Sequence, residues 1–226
     1  MTIKTDFIQV GVSNTATQNF TLKTNNDGTA KLARGNFDAT TQDVLTVNSG
    51  GVVDFPQGAT IAGTAGQKML LTASQATTSG TSIDFTGIPS WAKRVTVELS
   101  GVSTSGTSPV ILQLGAGATQ TTGYTGSGSW IAATSVGSAN FTTGIAAGNT
   151  ANAAGQRSGS MRLHTMGGNL WVGDGTFGIY GTGTGETATS GGNVTLSGTL
   201  DRIRLTTVNG TDTFDAGSVS LLIEGY

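Results

Sequence analysis

The chain has 226 residues, 36 of them Gly and 3 Pro, and it contains no Cys. Charged residues make up 11% of it, against about 25% in an ordinary globular domain, and the net charge is −2. These values exclude the basic footprint of a nucleic-acid binder, a disulfide frame, and any thiolate nucleophile or thiolate metal site.

Apolar residues alternate, or come in runs of two or three bounded by Gly, Asn, Asp and Ser, with almost no helical period. This is the pattern of an all-β chain of short strands. The opening MTIKTDFIQVGVSNTATQNF has no uninterrupted apolar run, so no export signal is expected. No run reaches membrane-spanning length, and no membrane insertion is expected. A Cys-free chain suits a product made in a reducing cytoplasm that must persist outside it.

Residues 1–58 read as one segment. FIQVGV (7–12) is a strand candidate. NFTLKT (19–24) alternates and sets Phe20 and Leu22 on one face. Asp27-Gly28 is a turn signal. DVLTV (43–47), the turn Asn48-Ser49-Gly50-Gly51 and VVDF (52–55) form a hairpin that stops at Pro56, which has no N–H to donate. About sixteen large apolar side chains occur in residues 1–67, too few to offset the ordering of so long a segment. The segment is therefore expected to complete its core with other copies of the chain. Its candidate attachment and trimer-forming residues are Phe7, Phe20, Leu22, Leu32, Val44, Leu45, Val47 and Phe55.

Residues 59–68, ATIAGTAGQK, are small and read as a linker or neck. Residues 69–226 read as a larger β domain. Its expected strands are MLLTAS (69–74), TSIDF (81–85), KRVTVELS (93–100) and the more fully buried run PVILQLG (109–115). A Gly/Thr/Ser-rich stretch at 115–129 is expected as the longest loop. NFTTGI (140–145), SMRLHTM (160–166), NLWVG (169–173), GNVTLSG (192–198), DRIRLTTV (201–208) and GSVSLLIEG (217–225) follow. Gly167-Gly168 is expected to turn a hairpin. Eight to ten strands over this length predict a jelly-roll-like β-sandwich.

TSIDFTGIPSWAKRVTVELSGVSTSGTS (81–108) resembles a module of tailed-bacteriophage virion proteins that often closes fibre proteins. LDRIRLTTVNGTDTFDAGSVSLLIEGY (200–226) is similar to the end of the same module. NFTLKTNNDGTAKLARGNFDATTQDVLTVNSGGVVDFPQG (19–58) resembles an N-terminal or shaft element of phage fibre-like proteins. The resemblance implies a structural virion protein, a homotrimer, with strand-and-turn scaffold in place of catalytic residues. Its partners would be tail, baseplate or major capsid proteins, and its location the surface of the phage particle.

Other constellations read as structure. Gly173, Gly175 and Gly178 spell G-x-G-x-x-G, but no helix pattern follows, as a dinucleotide site requires. A hairpin turn at Asp174-Gly175 is expected there instead. His164, the lone histidine, alternates outward beside Arg162 and has no nucleophile elbow nearby. Asp201, Asp212 and Asp215 are close in sequence; turn-stabilising roles are expected. A glycosidase pair or a calcium site is the alternative reading of these acids. Arg202 and Arg204 are expected to face outward and pair with acids such as Glu98 on a neighbouring strand or subunit. Trp171 is expected in the core, and Trp91 in the core or at its rim. Tyr124 and Trp130, flanking the glycine-rich stretch, are the candidate ligand-binding residues, with a loop-anchoring role for Trp130 as the alternative. No cofactor, metal or catalytic residue is expected.

The expected function is that of a trimeric phage fibre or spike that adheres to a host surface glycan or protein. The alternative is a capsid decoration or head fibre that binds the shell through its N-terminal segment. A polysaccharide depolymerase is the third and weaker reading.

Overall fold

The computed structural model describes residues 68–148, 152–153, 155–181 and 185–225. In residues 1–67 it describes the backbone of seven short strands. The chain divides into two compact units, Met1–Gln67 and Lys68–Tyr226. All regular structure among the described residues is β, and every strand pairing is antiparallel.

In the first unit β1 (Phe7–Val10), β2 (Phe20–Thr24), β3 (Ala30–Arg34), β4 (Asp43–Val47) and β5 (Val53–Asp54) pair in chain order as a meander. The expected hairpin is present: Val47 stands opposite Val53 and Thr46 opposite Asp54. Ile8, Leu22, Leu32 and Leu45 fall in one cross-strand row. The side chains of Phe7, Phe20, Leu22, Leu32, Val44, Leu45 and Val47, all of Phe55, and the Asp27-Gly28 turn lie outside the described residues. Within the stretch read as a linker, β6 (Thr60–Ile61) and β7 (Thr64–Ala65) pair as a minimal hairpin.

The second unit is a two-sheet sandwich. Its strands are β8 (Lys68–Leu71), β9 (Gln75–Ala76), β10 (Ser82–Thr86), β11 (Arg94–Thr104), β12 (Val110–Ala116), β13 (Ala118–Thr119), β14 (Thr125–Ile131), β15 (Val136–Phe141), β16 (Ile145–Ala146), β17 (Gln156–Gly167), β18 (Leu170–Tyr180), β19 (Glu186–Thr195), β20 (Arg202–Thr207) and β21 (Phe214–Gly225). The narrow sheet has the order β10-β20-β12-β13, with β16 also on β12. The wide sheet runs β15-β14-β19-β18-β17-β11-β21-β8, with β9 also on β21. Successive strands β10, β11 and β12 alternate between the sheets, as do β20 and β21. That alternation is the jelly-roll habit, here with a wide sheet enlarged by the run β17-β18-β19 and the hairpin β14-β15.

One core lies between the sheets. The narrow sheet contributes Ile83, Phe85, Leu112, Leu114, Ile203 and Leu205; the wide sheet contributes Val95, Val97, Leu99, Met161, Leu163, Trp171, Phe177, Val194, Leu221 and Ile223. The strict alternation of β11, β17, β18 and β21 produces this, since period two sends every second side chain inward. The expected fully buried run is found at β12, where Val110 through Gly115 are all buried. Ile111 turns away from the main core and packs with Phe141 and Ala146 as a second, smaller cluster.

The pairing of β11 shifts register near Gly101 on both sides, against β17 and against β21. Gly101 (φ 64°) and Gly217 (φ 93°) hold left-handed backbone there. A Cβ on Gly217 would stand 2.5 Å from the Gly101 carbonyl carbon. Two glycines therefore allow the backbones to meet where the strands bend.

Candidate functional site

Tyr124 and Trp130, the candidate ligand residues, do not sit together on a loop. The stretch 115–129 contains β13 and most of β14, and β14 is an interior strand of the wide sheet, paired with β15 and β19. Small residues hid this strand: Gly126 and Gly192 oppose each other so closely that a Cβ on Gly126 would meet the Gly192 Cα at 3.2 Å. Tyr124 is only 3% exposed. Its hydroxyl accepts from Leu114 N at 2.7 Å and lies within bonding reach of the Leu114 and Gln120 carbonyls. Burial pushes its pKa up to about 12. Tyr124 is thus an anchor for the turn after β12, and it also borders a groove beside β14. Trp130 is half-buried, and its indole covers Gly137, the residue opposite it on β15.

The GDGTFG motif is not a turn. Gly173, Asp174, Gly175 and Gly178 are all interior to β18, paired on both sides. Gly173 and Gly175 face inward, where a Cβ would strike Leu163 at 2.7 Å and the Phe177 ring at 2.9 Å respectively. The hairpin turn falls instead at Gly167-Gly168, as expected, joining β17 to β18.

The acids near the C-terminal strands have structural partners. Asp201 accepts from Arg202 Nε at 2.8 Å and from Gly117 N at 2.9 Å, and these bonds lower its pKa, the Arg202 bond most. Asp212 accepts from Asn209 Nδ2 and Ser108 N, which lower its pKa in that order. Asp215 accepts from the Ser103 hydroxyl. Arg204 pairs with Asp84 at 2.7 Å on the neighbouring strand β10. Glu98, the partner expected for Arg202 and Arg204, belongs to the other sheet. Among the described residues no three His, Cys, Asp or Glu side chains converge on a metal-sized site. No described helix is long and apolar enough to cross a membrane.

The outward face of the wide sheet presents a broad polar surface. Register aligns Ser220, Glu98, Ser160, Thr176, Thr189, Ser129 and Ser138 in a single row across seven strands. The charges beside this row are paired. Arg162 Nη2 meets Asp174 at 2.5 Å, and Arg94 bonds both oxygens of Glu224 at 2.6 and 2.7 Å. His164 faces outward between Arg94 and Val172, as its alternation predicted. Two grooves open at the β14–β15 end. One, of about 500 Å³, is lined by Thr125, Ser127, Asn140, Phe141 and Gly191. The other, of about 740 Å³, is lined by Ile131, Gln156, Ser158, Gly178, Tyr180 and Thr187, with Glu186 at its margin.

Arg157 lies behind the second groove and is nearly fully buried. Its Nη1 donates to the Gly155 carbonyl at 3.2 Å. Desolvation lowers its pKa to about 10, opposed by the negative charge of Glu186. The guanidinium and the carboxylate stand on either side of Ile179 in one cross-strand row.

Sequence reasoning missed Tyr180 and the Arg157–Glu186 pair, and read Gly178 only as part of the G-x-G-x-x-G run. The signal for Tyr180 was present in the alternation Thr176-Gly178-Tyr180, which the turn expected at Asp174-Gly175 broke. No family model, curated protein or solved structure matches the chain.

Proposed function

We propose that this chain is a trimeric fibre- or spike-type structural protein of a tailed-phage particle, and that its sandwich adheres to the surface of the host cell. The observation that carries the reading is the outward face of the wide sheet. It is broad and lined with hydroxyls, most of its charges are locally paired, and grooves open at one end. Such a surface makes many weak polar contacts, and three copies on one particle multiply them into useful avidity. The resemblance of residues 81–108 and 200–226 to fibre-closing modules supports the same reading. So does the edge strand β8, where Met69 and Leu71 are well exposed; a neighbouring copy would cover them. Analytical ultracentrifugation of the full chain tests the trimer, and block of adsorption by antibody raised against the sandwich tests the adhesion. A monomer stable on dilution, together with unhindered adsorption, overturns the proposal.

A second reading, capsid decoration, is favoured by the first unit. Its five-stranded meander is accompanied in that unit by only a two-stranded second sheet among the described residues. A sheet buries its apolar side only against another layer, and shell subunits could supply one. Immunogold labelling of intact particles separates the readings: gold on the tail supports adhesion, gold on the capsid supports decoration.

A further inference from the structure

The floor of the Ile131–Tyr180 groove is a glycine that the fold does not require. Gly178 sits in the interior of β18, paired with Ser158 on one side and Thr187 on the other. A Cβ there would meet nothing closer than the Ser158 carbonyl at 4.0 Å, and Gly178 is not among the glycines that need left-handed backbone. The inward glycines of the same strand behave differently, because Leu163 and Phe177 fill the space beside them. Glycine inside a strand weakens it and marks places where something approaches the backbone closely. At Gly178 nothing among the described residues of the second unit does so.

The walls of the space are specific. Tyr180 is 78% exposed and Ile131 59% exposed. Ser158, Thr187 and Gln156 present hydroxyl and amide groups at the same level of the sheet. Glu186 belongs to the inward row of Arg157 and Ile179, behind the groove floor. An aromatic face beside short neutral hydrogen-bonding groups is complementary to a pyranose ring, which is apolar on its faces and hydroxylated round its edge. Gly191, a second outward glycine with only an ordinary contact at 3.5 Å, floors the neighbouring groove. It lies four residues along β19 from Thr187, about 13 Å at the strand rise. Thr189 and Ser129 lie between the two notches.

From this arrangement we propose that the outward face of β18, β19 and β14 is a binding site for a neutral linear oligosaccharide. One pyranose ring stacks on Tyr180 over Gly178, and the chain continues toward Gly191. The inference rests on the adhesion reading and names its ligand class. The local pairing of Arg162 with Asp174 and of Arg94 with Glu224 leaves little net charge to draw an acidic glycan.

The test uses the full chain and saturation-transfer NMR. The probes are neutral hexasaccharides of glucose, mannose, galactose, rhamnose and N-acetylglucosamine, with polysialic acid as the charged control. At least one neutral probe is expected to bind, and Tyr180→Ala and Gly178→Val are each expected to weaken it tenfold or more. Both substitutions are on the surface, so the thermal midpoint should hold, and Tyr180→Phe should retain binding. Failure of every neutral probe, preference for polysialic acid, or undiminished binding in both variants overturns the site. The outcomes also separate the two proposals. Blocked adsorption with no saccharide binding leaves adhesion standing and removes this site. Saccharide binding lost in the variants, without any effect of antibody on adsorption, keeps the site and removes the adhesion role.

Discussion

The wide sheet of the sandwich is two surfaces joined along β19. From β21 to β19 its inward face lies in the main core, where Val95, Val97, Leu163, Phe177 and Leu221 are fully enclosed. At β14 and β15 the inward positions are Gly126, Gly128, Trp130, Phe141, Ala139 and Gly137. Neither strand adds a residue to that core, and Phe141 belongs to the small cluster with Ile111 and Ala146. The first region holds itself in place by burial. The second is carried by its ladder with β19 and by a few close fits such as Trp130 over Gly137. Binding surfaces belong on such margins: the core fixes their position, and their composition is free to serve contact.

The comparison can be broken most severely inside the covered region. Leu112→Ala removes a fully buried side chain and should cost about 2–5 kcal/mol, read from the urea midpoint. Gly217→Ala should be of similar size, about 2–4 kcal/mol, because the new methyl meets the Gly101 backbone and the residue holds positive φ. A Gly217→Ala protein as stable as wild type would show that the bulge relaxes freely.

Tyr124→Phe is expected next, at about 1–3 kcal/mol near neutral pH, since Leu114 N loses its acceptor. Its pH dependence has a definite sign. The folded-state pKa is raised from the ordinary tyrosine value to about 12, so the unfolded chain releases this proton first. The contribution of Tyr124 is complete below about pH 10 and fades as pH rises toward 12. Thermal midpoints across that window should fall less steeply in Tyr124→Phe than in wild type.

Trp130→Ala sharpens the contrast from the other side. A half-exposed indole resting on a glycine should cost about 1–2 kcal/mol, clearly less than Leu112→Ala. Equal losses would mean that the β14–β15 end is as tightly built as the core.

Glu224→Gln should have the smallest effect, about 0–1 kcal/mol, because Arg94 is half-exposed and exposed pairs are weak. Arg94 lowers the pKa of Glu224, chiefly through their hydrogen bonds. The pair therefore stabilises above the ordinary glutamate range, and that contribution is lost as pH falls through the folded-state value. Acid titration of stability should be shallower in the variant.

Much of the sandwich was legible in the sequence. Val95-Val97-Leu99, Ile203-Leu205 and Val219-Leu221-Ile223 alternate cleanly, and each triplet or pair is buried as its period requires. Legibility failed where glycine carried a strand. Residues 125–129 and 173–175 look like turns because their inward side chains are hydrogens, yet both lie in interior strands of the wide sheet. The missing Cβ atoms are explained only by neighbours distant in sequence, Gly192 for one and Leu163 for the other. The candidate site went the same way. Tyr124 does lie in the connection between β13 and β14, but its ring is buried beneath that connection. Tyr180 was passed over because the turn assignment ended the strand before reaching it.

The position of β21 has a consequence for how the second unit comes into being. This strand fits between β8 and β11, although it follows both by more than a hundred residues. Until it inserts, β8 has no neighbour to pair with and β11 keeps one flank of bare amides and carbonyls. The nascent unit thus holds an unfilled slot through most of its synthesis. Closure by so remote a segment makes acquisition of the native state slow and exposes the growing chain to mispairing with its own siblings.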